Sequence, residues 1–100
     1  MFGLGKKKLT DQMRGMIGIE LAMFMRWHED IKKKNLAEEE MSQVMIGILK
    51  REKCKFSDKD VSTFIILAMA TENDAIDKMR IESNFDNQVT EFMRSIGFTL

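Results

Sequence analysis

The stretch Gly15-Met16-Ile17-Gly18-Ile19-Glu20-Leu21-Ala22-Met23-Phe24-Met25-Arg26-Trp27 decides the fold. At about 100° per residue with Leu9 as origin, Leu9, Met13, Met16, Ile17, Met23, Phe24, Trp27 and Ile31 share one broad arc. Leu21 and Met25 widen it on one side and Ile19 on the other. A helix this apolar is either central in its fold or buried against a second chain. Glu20 lies in the middle of the arc, where a carboxylate is costly unless partnered.

Working outward, the helix should open at Thr10, run over residues 11–33 and end in Lys32-Lys33-Lys34, where cations meet the negative end of the dipole. Asn35 is then expected to cap a second helix, with Glu38 as its reciprocal partner. Ala37, Met41, Val44, Met45, Ile48 and Leu49 form a single stripe on it, and Lys50-Arg51-Glu52-Lys53 ends it. Ser57 and Asp60 have the spacing of a capping box, and Phe56 and Val61 that of a hydrophobic staple, which marks the start of a third helix.

Val61, Phe64, Ile65, Ala68, Ala75, Ile76 and Met79 keep one phase, which predicts a continuous third helix over residues 58–82. The competing reading places a new cap within residues 71–74. Ile66, Leu67 and Met69 fall outside that phase, so the first half of this helix should also be central. Beyond Met79 the phase shifts to Ile81, Phe85, Val89, Phe92 and Ile96, which defines a short C-terminal helix over residues 85–96, capped by Ser83 or Asn84 and stopped at Gly97. The expected architecture is all-α: a four-helix up-down bundle or an irregular variant, with two long helices and one short one. The short fourth helix leaves apolar surface uncovered at one end.

One hundred residues fit one domain over residues 1–100, with residues 1–9 read as a flexible basic tail. Sixteen basic and sixteen acidic residues cancel, so no global field favours a polyanion. A single cysteine, Cys54, cannot close an internal disulfide, and a cytoplasmic setting is the expectation. The longest apolar runs, residues 16–25 and 64–70, fall short of the about 20 residues that span a bilayer.

The catalytic inventory is thin. His28 is the only histidine, there is no tyrosine, and no serine or cysteine is tied to His28 by local spacing. Neither catalytic residues nor a cofactor, metal or small-molecule substrate is assigned. Glu20 and Glu72 are candidate buried carboxylates, which parallel first and third helices would bring to similar height; the competing reading pairs each at the stripe's edge with Arg80, Arg94, Lys78 or water. A di-metal bundle would need Glu-x-x-His motifs, and the chain has none. The ten methionines lie mostly on apolar stripes, where they act as flexible gap-fillers. Gly15, Gly18 and Ala22 suggest a close helix crossing, because glycine inside a helix costs about 1 kcal/mol relative to alanine.

The functional expectation is a small interaction or regulatory module, a homo-oligomer or a binder of a protein partner, using Met16, Ile19, Met23, Phe24 and Trp27. The alternative is a peripheral binder of an anionic membrane or nucleic acid, using Lys6, Lys7, Lys8, Lys50, Arg51 and Lys53. An antiparallel pairing of the first two helices would bring those lysines to one end of the molecule.

Overall fold

Helix α1 (Asp11–Lys32) is the axis of the molecule, and α2 (Glu38–Arg51), α3 (Asp58–Ala70), α4 (Asn73–Ser83) and α5 (Phe85–Ser95) all pack against it. The structure is a computed structural model that describes residues 6–98. Ile17, Leu21, Ala22, Met23, Phe24 and Trp27 of α1 are buried by the chain's own helices. Most of the apolar arc is thus covered within one chain, while Met16 and Ile31 stay exposed. The ring of Phe24 takes Phe85 edge-on at 4.9 Å and Phe92 at 5.1 Å, joining α5 to the axis. From α2, Val44, Met45, Ile48 and Leu49 are fully buried, as its stripe predicted.

The caps explain most boundaries. The Thr10 hydroxyl accepts from the Met13 amide at 3.2 Å and starts α1, which ends at Lys33 in the left-handed region (φ 58°). At α3 the Ser57 amide donates to the Asp60 carboxylate at 2.9 Å and the Asp60 amide to the Ser57 hydroxyl at 3.3 Å, the expected box. The start of α2 differs from expectation. Leu36 is buried, which holds residues 35–37 in the connection, and the Glu40 carboxylate accepts from the Ala37 amide at 3.0 Å. Ala37 is therefore the N-cap, and Asn35 lies outside the helix.

The long third helix is the main correction. Thr71 and Glu72 have extended backbone (ψ 136° and 135°) and divide residues 58–82 into α3 and α4. The Thr71 hydroxyl donates back to the Leu67 carbonyl at 3.0 Å and its amide to the Ala68 carbonyl at 3.2 Å, which closes α3. The stripe that argued for continuity does not survive the break: Ile76 is buried, whereas Ala75 and Met79 are exposed. The described residues therefore form five helices. Nor is α3 central, because it buries Val61, Phe64 and Ala68 and turns Ile66, Leu67 and Met69 to solvent.

Asn84, with φ 55° and ψ 37°, ends α4 and begins α5. Ile81, assigned from sequence to the last apolar face, belongs to α4 and is 82% exposed, while Phe85 and Val89 are buried as expected. At the far end Gly97 takes φ 93°, the Phe98 amide returns to the Met93 carbonyl at 2.9 Å, and Gln43 of α2 donates to the Ile96 carbonyl at 3.0 Å.

Candidate functional site

Ile76 is the only residue α4 buries, which is little to hold a helix in place. Charge supplies the rest. Arg26 of α1 donates from Nε and Nη2 to the two carboxylate oxygens of Asp77 at 2.9 and 3.3 Å. Arg80 donates to Asp30 of α1 at 2.6 Å and, through Nε and Nη2, to Asp86 of α5 at 3.0 and 2.8 Å. The hydrogen bond it donates to Asp86 holds the Arg80 guanidinium above its ordinary pKa against the opposing effect of burial. This clamp lines a cavity of about 430 Å³ with Ile81 and Asn84. Sequence reading did not find it, because its short hydrogen bonds all run between different helices.

Glu20 has a partner. Its side chain is half-buried, and Arg51, at the end of α2, donates to Oε1 at 2.7 Å. Burial works against the charge on Arg51, and the hydrogen bonds it donates to Glu20 and Glu52, with the attraction of those carboxylates, more than restore it. The guanidinium also lies 4.9 Å from the centre of the Phe92 ring. Arg51, expected on a basic surface, is exposed, but its guanidinium is committed to Glu20 and Glu52. Glu72 is exposed at the N-cap of α4 and shares neither a cavity nor an ion-pair partner with Glu20. The paired-carboxylate reading is not realised. The competing reading holds in outline, with Glu72 exposed to water and Glu20 ion-paired, but the cation is Arg51 rather than Arg80, Arg94 or Lys78.

His28 is buried on the C-terminal part of α1, with Nδ1 3.1 Å from the Lys34 carbonyl. A carbonyl only accepts, so Nδ1 carries the proton and latches the end of the helix. Cys54 is also buried, and burial pushes its thiol pKa up. Among the described residues no group of three or more His, Cys, Asp or Glu side chains is placed to hold a metal ion.

Of the five residues expected to meet a partner, Phe24 and Trp27 belong to the core and Met23 is 9% exposed. Met16, Ile19 and Met23 do share one groove of about 380 Å³ with Ile17 and Met79, closed at one end by Glu20, Arg51 and Glu52. Met16 is 64% exposed there. A second groove of about 360 Å³ runs between Met25, Leu36, Met41 and Met69. Large apolar side chains are also uncovered together on α3, with Ile66 67%, Leu67 47% and Met69 65% exposed.

The expected basic end is assembled by the backbone. Lys7 pairs in parallel with Cys54, its amide donating to the Lys53 carbonyl at 2.6 Å and its carbonyl accepting from the Lys55 amide at 2.9 Å. With Leu9 buried, residues 6–9 are tied down rather than forming part of a tail, and residues 1–5 of the expected tail lie outside the described residues. Among the described residues no helix is long and apolar enough to cross a membrane.

Comparison with known proteins gives no matching family model, no matching curated protein and no matching solved structure.

Proposed function

We propose that the chain is a small non-enzymatic interaction module that self-associates through apolar helix surface. The supporting observation is the outer side of α3, where Ile66, Leu67 and Met69 are exposed beside Ala70 while the inner side of the same helix is already buried. Three large aliphatic side chains within four residues form the kind of patch that marks an interface. The occupant that fits is a second copy. Two α3 helices packed antiparallel about a two-fold axis at Ile66 bring Ile66 against its equivalent. The same register sets Lys59 of each copy opposite the connection that follows α3 in the other, where Glu72 stands, so the pairing is favourable in charge.

Light scattering at tens of micromolar tests this. The expected result is a dimer mass for the natural sequence and a monomer mass for Ile66→Asp, with equal helix content by circular dichroism because Ile66 contributes nothing to the core. A monomer at that concentration, or an Ile66→Asp protein that remains dimeric, overturns the assignment. Loss of the dimer in Met16→Asp alone would place the interface at the α1 groove instead.

A further inference from the structure

Every ion pair among the described residues is made by an arginine, and no lysine takes part in one. Six of those lysines are gathered at one end. The two hydrogen bonds around Lys7 set residues 6–8 alongside residues 53–55, and the Lys53 amide donates to the Lys50 carbonyl at 3.0 Å, which adds Lys50 to the group. Leu9 and Cys54 anchor this pairing from inside, both buried, while Lys6, Lys7, Lys8, Lys50, Lys53 and Lys55 are all exposed. Part of the acidic charge nearby is offset, since Asp11 faces Arg14 at 3.6 Å and Arg51 is shared between Glu20 and Glu52. Asp58 and Asp60 add acidic charge beside the cluster, the hydrogen bond from the Ser57 amide leaving Asp60 ionised. The six lysines outnumber these acids, so a chain of zero formal net charge carries a net positive end.

We propose that this end docks on a membrane surface by attracting the headgroups of anionic phospholipids. Lysine ammonium groups are compact point charges that respond to a diffuse negative surface without requiring its phosphates in a fixed geometry. Nucleic acid is the poorer fit. The adjacent guanidinium, Arg51, is held by Glu20 and Glu52, and the adjacent aromatic, Phe56, is packed against the core, so the cluster offers neither a bidentate fork for base edges nor a free ring for stacking. The backbone pairing gives the cluster a fixed shape, which distinguishes it from lysines that merely follow one another in sequence.

The test is co-sedimentation of the untagged protein with vesicles of phosphatidylcholine alone and of phosphatidylcholine with about a third phosphatidylserine, at low and high salt. Binding is expected to the anionic vesicles only and to be lost at high salt as the Debye length falls from about 10 Å at 0.1 M to about 3 Å at 1 M. At about fivefold per lysine, Lys6, Lys7 and Lys8→Ala together should weaken it about a hundredfold. Only the backbone of Lys7 takes part in the pairing, and Lys50→Ala with Lys55→Ala gives an independent second variant. Lys32, Lys34 and Lys78→Ala removes the same charge elsewhere and should bind nearly as well as the natural protein. The proposal is overturned by no binding at low salt, by equal loss in that charge-matched variant, or by tighter binding to a DNA or RNA duplex than to the vesicles at the same salt.

Discussion

Replacing Arg80 by Met asks how much of the docking of α4 is electrostatic. Methionine keeps an apolar stem of similar reach and removes the guanidinium, so packing is largely conserved while three hydrogen bonds to Asp30 and Asp86 are lost. The Arg80 side chain is 9% exposed, but Asp30 and Asp86 are 44% and 53% exposed. Water can therefore take over the carboxylates, and the loss falls between the about 0.2–1 kcal/mol of an exposed pair and the about 3–5 kcal/mol of breaking a buried one. About 2 kcal/mol is expected. For a domain of this size that lowers Tm by roughly 8–16 °C. Urea melts of the natural protein, Arg80→Met, Asp30→Asn and the double variant measure it, and the cycle should show coupling between the two sites. Arg94→Met serves as a control, since Arg94 makes no ion pair among the described residues. An Arg80→Met protein within about 0.5 kcal/mol of the natural one would refute the claim that charge holds α4.

Two further outcomes follow from local geometry. A Cβ added at Gly15 meets nothing within 4 Å, whereas one at Gly47 would lie 2.9 Å from Cγ2 of Ile96 and 3.4 Å from Cζ of Phe92. In denaturant melts Gly15→Ala should therefore gain about 0.5–1 kcal/mol in helix propensity, and Gly47→Ala should lose about 1 kcal/mol or more as α5 is pushed off α2. Burial raises the folded-state pKa of Cys54, so its contribution is fully present below the unfolded value of about 8.5 and is lost as pH rises toward the folded one. The stability difference between the natural protein and Cys54→Ala should accordingly narrow between pH 7 and pH 10, and a constant difference would refute it.

The role of α1 was legible because an apolar arc this broad has few ways to be buried, and Ser57 with Asp60 was legible because both halves of a capping box lie within four residues. The break at Thr71 was misread because a stripe with two alanines carries little packing energy, so a shared phase alone does not hold one helix together across residues 71–72. Asn35 was misread as a cap because burial of Leu36, a tertiary event, shifts the start of α2 by two residues. The clustering of lysines from residues 6–8 and from the end of α2 could be anticipated from hairpin geometry, but the pairing that fixes it could not. It joins residues more than forty positions apart through main-chain atoms, which carry no mark in the side-chain pattern. The clamp of Arg26 and Arg80 was invisible for a related reason, since its acids come from three helices.

The parallel pairing of Lys7 with Cys54 also has a mechanical meaning. A pull on the chain ahead of Lys6 is carried into the α2–α3 junction by two hydrogen bonds and by the seat of Leu9, before it can reach α1.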